Sequence, residues 1–330
     1  MTTDPTFDEI AQDPSGALDL LARKFLEEKQ YSRLFEIRLM RQRRDLGLPL
    51  TQTGGMDGIP AEKRPAYEQA FIEAAREAGG LYLADGDIPR AWSYFRAIGE
   101  PEPVADALER VAPGEDVQTI VEIAFHEGAH PRKGFELVLA HYGLCRAITY
   151  FQQFPQGPGC VESLHLLVRT LHGDLVESLR RTIEQAEGQA PATGRVSELI
   201  AGRDWLFGEF SYYVDTSHLL SILQFSLGLE DREMLALALD LAEYGQRLSP
   251  QFHYRNEPPF EEYRDYIVYF TARLGGDIDA AIAHFHEKAP QVLVELFTKL
   301  GDFERLAKLA RARDDLLTFT AAVLQRPRGA

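Results

Sequence analysis

Cysteine is scarce. Cys145 and Cys160 are the only two in 330 residues. Their spacing fits no metal-ligand pattern, and a lone pair in a chain of this length builds no disulfide framework. Both are expected as reduced, mostly buried thiols. Long apolar runs are also missing: none approaches the roughly 18–20 residues that span a bilayer. The N-terminal stretch has neither a basic region nor an apolar core, so no signal peptide is read there. Together these absences point to a soluble protein of a reducing cytoplasm. Cationic side chains are in deficit, with 35 Lys and Arg against 51 Asp and Glu and a net charge of -16. Phosphate backbones and anionic membranes attract cations, so neither nucleic acid nor a membrane surface is expected as the main partner. Walker A, a dinucleotide-binding glycine fingerprint after a strand, and G-x-S-x-G are all lacking. Clean period-2 alternation of apolar residues is nearly absent, so strands should be few or missing.

What is present is helical. The chain is 45% apolar and 26% charged, ordinary for a folded protein with a sizeable core. Leu18, Leu21 and Phe25 recur at helical spacing, as do Leu34, Ile37 and Met40. Arg33, Arg38, Arg41, Arg43 and Arg44 form a basic run near a helix end and read as a solvated face. A two-residue phrase returns four times, at Gly86-Asp87, Gly173-Asp174, Gly276-Asp277 and Gly301-Asp302. Glycine can take the left-handed conformation that closes one helix, and aspartate accepts from the open amides of the next. Each occurrence is therefore expected to be a tight helix–helix turn joining antiparallel neighbours. Five residues beyond the glycine stand Ala91, Ala281 and Leu306. Nine beyond it stand Phe95, Phe285 and Ala310. The two positions share a helix face.

These offsets resemble the tetratricopeptide repeat. Residues 72–105 supply Gly79, Tyr82, Gly86, Ala91, Phe95 and Pro103 in register with that pattern. The segment from Tyr269 keeps Gly276, Ala281 and Phe285, and the segment from Val294 keeps Phe297, Gly301 and Ala310. The resemblance implies an all-α fold, an α-solenoid of antiparallel helical hairpins with a concave face that takes a peptide or protein segment. Three breaks interrupt the helices, at 48–60, 188–194 and 249–259. The second is the expected boundary between hairpin arrays at 1–187 and 195–330, packed as one continuous superhelix. The third is long and unusually rich in aromatic and charged groups, and such connections often carry function.

Two groups of residues could carry chemistry. His126-Glu127-Gly128-Ala129-His130 reads H-E-x-x-H. On a helix its histidines would share a face and bind zinc or another transition metal, with Glu127 as general base. Pro131 directly after it disfavours helix at His130, and Lys133 and Glu136 stand where a metzincin would carry its glycine and third histidine. The competing expectation is a turn before a helix over 132–151, with both histidines at helix ends. A wider divalent-metal shell would need His165, Asp215 or His218 to join them. The plainer role for Asp215 is to cap the helix that begins at Thr216. The second group is the 249–259 connection and the helix after it, with His253, Tyr254, Arg255, Tyr263 and Arg264 as candidates to line a groove or hold an anionic group. The alternative there is a lid whose rings pack on the core. Trp205, Tyr212 and Tyr213 are expected in the core. The leading reading is an interaction scaffold for a peptide or protein. A metal-dependent enzyme, perhaps a hydrolase, is the alternative, and a small-molecule pocket under the 249–259 connection is a third.

Overall fold

The computed structural model describes residues 6–51, 58–112, 114, 117–153, 157–253 and 256–326. Among them there are α-helices and short helical turns and no strands. The chain divides into two compact units, 1–141 and 142–330. The connection at 188–194, read from sequence as the boundary, lies inside the second unit, where the helices on either side of it pack together.

The first unit begins with α1 (Thr6–Gln12), α2 (Ala17–Glu27), α3 (Tyr31–Asp45), α4 (Arg64–Ala84), α5 (Ile88–Ile98), α6 (Glu102–Leu108) and α7 (Val117–Val121). Each of α2 to α5 packs on the next, and α6 returns to touch both α4 and α5. Helices α4 and α5 approach closely. A Cβ on Gly79 would stand 2.7 Å from the Phe95 ring, so only glycine lets the two helices come this close. Ala91 beside it is fully buried, and Tyr82, Trp92 and Phe95 fill the surrounding core. The basic run on α3 is solvated at Arg33 and Arg44, which are exposed, and half-buried at Arg38, Arg41 and Arg43. Arg38 makes two 2.7 Å hydrogen bonds to Glu77 of α4, Arg41 pairs with Asp19 of α2, and Arg33 lies over the Phe25 ring. The arginines tie α3 to its neighbours because their long stems reach carboxylates that the same acidic chain supplies.

At the end of α7 the chain widens into a π-helical turn, Glu122–His126, before α8 (Pro131–Gln153). The helix expected over 132–151 is present but broken at Gly143, whose φ of 79° and ψ of 178° are not helical.

The second unit holds the remainder of α8, then α9 (Cys160–Glu187), α10 (Val196–Ile200), α11 (Thr216–Ser226), α12 (Arg232–Arg247), α13 (Tyr263–Arg273), α14 (Ile278–Phe285), α15 (Pro290–Leu300), α16 (Phe303–Ala312) and α17 (Leu316–Gln325). The long α9 packs on α10, α11 and α12. Thereafter α12 to α17 pack mainly in sequence. Three of the four Gly-Asp phrases are turns. Asp87, Asp277 and Asp302 each accept from the backbone N–H three residues on, at 2.9–3.0 Å. Gly86 and Gly301 are left-handed as expected, whereas before Asp277 it is Gly275 that takes this role, at φ 88°. Gly173-Asp174 is no turn. It lies inside α9, because Leu167, Leu171, Leu175, Leu179 and Ile183 are all buried at four-residue spacing straight through it. That burial outweighs the roughly 1 kcal/mol an interior glycine costs.

Three further expectations from sequence differ. Cys145 is exposed and Cys160 half-buried, because neither falls on the buried face of its helix. Trp205 and Tyr212 are about half exposed, at 48% and 56%, since 201–215 runs over the surface as a short 3-10 turn and an irregular connection. Tyr213 is half-buried, and its hydroxyl donates to the Leu206 carbonyl at 3.0 Å.

Candidate functional site

The H-E-x-x-H segment closes upon itself. The π-helical turn ends at His126, Gly128 is left-handed at φ 80°, and α8 starts at Pro131. The two histidines therefore do not share a helix face. Gly134 lets α8 lie directly against the turn, and a Cβ there would stand 2.7 Å from the Phe125 nitrogen. Glu127 accepts from the Trp92 indole at 2.6 Å and pairs with Arg96, so its carboxylate fastens the segment to α5. His130 uses both ring nitrogens. Nδ1 accepts from the Lys133 N–H at 3.4 Å, and Nε2 stands 2.8 Å from Glu109. Glu109 also pairs with Arg132, which holds its carboxyl below the usual range, with His130 adding to the effect. In this arrangement both ring nitrogens of His130 face partners within the segment and at the end of α6.

Asp215 caps α11, accepting from the Ser217 and His218 amides at 2.8 and 3.2 Å and from the Ser217 hydroxyl at 2.5 Å. The Ser217 hydroxyl bond is the largest influence lowering its pKa. His165 lies on α9 with its Nε2 buried and no hydrogen-bond partner among the described residues. Among the described residues no three His, Cys, Asp or Glu side chains stand together where they could hold a metal ion.

Of the residues expected to line a groove, Tyr254 and Arg255 lie outside the described residues. His253 and Tyr263 do come together, ring edge to face at 5.4 Å between centroids. Tyr263 is buried, its ring pressed against Gly245 of α12 where no Cβ could fit. These two rings form the lid packing that the sequence left as the alternative. Arg264 is exposed on α13.

What the sequence did not single out is the cleft beside them. Gln152, Ser217, Leu220, Ser221, Gln224, Phe225 and Asn256 line an open hollow of about 390 Å³. Its floor is apolar, with Phe225 packed on Phe151 at 4.8 Å between centroids. Among the described residues its walls are carboxamides and hydroxyls. Tyr266, fully buried on α13, stands behind the cleft. Its hydroxyl accepts from Asn256 Nδ2 at 3.0 Å and donates to Gln224 Oε1 at 2.8 Å. Burial pushes its pKa up to about 12, so it keeps its proton at neutral pH.

One phenol proton can serve only one of the two amides. The phenol donates to Gln224 and accepts from Asn256, with the Phe260 carbonyl at 3.4 Å as a second acceptor, so the two amides are engaged in opposite senses. Here Gln224 has its NH₂ left for the cleft and Asn256 its oxygen. The connection carrying Asn256 is itself pinned by Asp265. That buried carboxylate accepts from the Glu261 and Glu262 amides at 2.8 and 2.9 Å, from His284 at 2.6 Å and from Lys288 at 2.7 Å. Burial opposes its charge, but the Lys288 and His284 hydrogen bonds prevail and its pKa is lowered.

The sequence signal for this cleft existed but was faint. Ser217, Leu220, Ser221 and Gln224 recur at three- and four-residue spacing on α11, a half-polar stripe that resembles an ordinary solvated face. No helix among the described residues is long and apolar enough to cross a membrane. No family model matches the chain, and neither curated proteins nor solved structures give a match.

Proposed function

We propose that this chain is a helical-hairpin interaction scaffold, tetratricopeptide-like in its local units, that holds an extended segment of a cytoplasmic protein in the cleft along α11. The observation that carries this reading is the pair of carboxamides held in opposite senses by Tyr266. A peptide group presents one donor and one acceptor. A wall that offers one of each beside an apolar floor is matched to main chain in an extended ligand. Gln152, Ser217 and Ser221 add further neutral partners along it. The acidic balance of the chain favours a neutral or basic segment over an acidic one. The hairpin of α4 and α5 supports the repeat-like part of the reading, with Gly79 packed against Phe95 and Ala91 fully buried between them.

Selection of a random peptide library on the whole chain tests the proposal, with counter-selection on Gln224→Leu. Peptides that bind the native chain and lose about tenfold or more in affinity on the variant support it, since one unmatched buried polar group costs about 1–3 kcal/mol. Selected peptides that bind both proteins equally refute it.

A further inference from the structure

The last helix leaves its apolar face uncovered. Leu316, Leu317, Val323 and Leu324 of α17 are 73%, 86%, 43% and 79% exposed, while on the opposite side Ala322 is buried against the rest of the unit. No charged residue interrupts Leu316–Gln325. Single exposed leucines need no explanation, but four on one ten-residue helix do. The order of side chains along the helix indicates what covers them. Leu317 and Leu324 are seven residues apart, the spacing of one coiled-coil heptad, with the small Thr320 and Ala321 midway between them. The order large, small, small, large reads the same from either end.

We infer that α17 pairs with α17 of a second copy of this chain, antiparallel about a two-fold axis passing between Thr320 and Ala321. In that register each Leu317 meets Leu324 of the partner subunit, and Thr320 meets the partner's Ala321, where small side chains let the helices approach to about 8–10 Å. The same register brings the exposed Asp315 opposite Arg326 of the partner subunit, since 315 and 326 are equally far from the midpoint. The acidic start of each helix thus meets the basic end of the other, whereas a parallel pair would set like charges together. The net charge of -16 opposes association of two copies, and α17, which carries no charged residue, adds nothing to that repulsion where the copies would meet. The contact is isologous, so one patch serves both copies and the assembly closes at two.

The register is tested by cysteine cross-linking in the full chain, with Cys145 and Cys160 first replaced by serine. Ala321→Cys should form an intermolecular disulfide under mild oxidation, because positions close to the axis can approach within the roughly 7 Å a disulfide tolerates. Leu317→Cys should not, since its two copies stand about 10 Å apart along the helices at 1.5 Å per residue. Light scattering over about 1–100 μM should show the mass moving from 37.2 kDa towards twice that value. Leu317→Glu with Leu324→Glu should hold it at the monomer with unchanged circular dichroism, because both side chains are already in water. Arg326→Asp should weaken pairing several-fold. A monomer throughout that range, a dimer indifferent to the double glutamate variant, or cross-linking at Leu317→Cys rather than Ala321→Cys would overturn the proposal.

Discussion

Two clusters of polar side chains invite a functional reading, and they have been built to opposite ends. Around residues 122–136 His126 is exposed, but Glu127 and His130 are turned on their neighbours. Glu127 is held by Trp92 and Arg96, and His130 spans Lys133 and Glu109. Around α11 and α13 the buried partners face the other way. Tyr266 and Asp265 sit behind the surface and hold Asn256 and Gln224 so that half of each amide remains for something else. A cluster whose hydrogen bonds are all internal is joinery. A cluster whose buried members orient exposed ones has directional capacity to spare. The comparison teaches that residue type draws attention to a segment, while the direction in which its hydrogen bonds are used decides what it can do.

The largest expected effect comes from removing the pin behind the cleft. Asp265→Ala would leave Lys288 and His284 without their shared buried acceptor and release two backbone amides, at a cost of about 3 kcal/mol in urea unfolding. The comparison with Asp265→Asn carries a sign in pH. The folded pKa of Asp265 lies below its ordinary value of 3.8, so its contribution is full above that value. As pH falls through the folded pKa the contribution is lost, and the stability gap between native and Asp265→Asn protein should close in acid. A gap that widens there would mean the carboxylate is destabilised in the fold.

Next comes a test of the closed cluster. Gly134→Ala sets a Cβ against the Phe125 backbone, which cannot rotate aside, and should cost about 2 kcal/mol by overpacking. Neutral behaviour would show that the π-helical turn is not seated on α8 as described. A smaller effect, about 1 kcal/mol, is expected for Glu127→Gln, together with a change in Trp92 fluorescence as the indole loses a charged acceptor. An unmoved emission spectrum would remove Glu127 from its structural role.

The sequence disclosed the fold more readily than the site, for a physical reason. Helical periodicity and three of the four Gly-Asp turns are local features, set by residues within one turn of each other. They could be read directly, as could the cap at Asp215. Gly173-Asp174 misled because a run of buried leucines spanning α9 overrides a two-residue signal. The H-E-x-x-H string offered both a metal site and a turn; the left-handed Gly128 makes the turn and separates its two histidines. The cleft was illegible because Tyr266 lies 42 positions from Gln224 in sequence and meets it only through the packing of α13. His253 and Tyr263 were found as neighbours, but as a packed lid on the core.

The central claim is that Tyr266 sets the sense of both carboxamides for a bound main chain. Tyr266→Phe tests it most directly, because it deletes one oxygen and leaves the ring packed. The measurement is calorimetric titration of a library-selected peptide into native and Tyr266→Phe protein, with urea stability recorded for both. A modest stability loss of about 1 kcal/mol and about a tenfold or greater loss in peptide affinity are expected, since both amides become free to turn. Equal affinity for the two proteins, with the stability loss present, would contradict the claim.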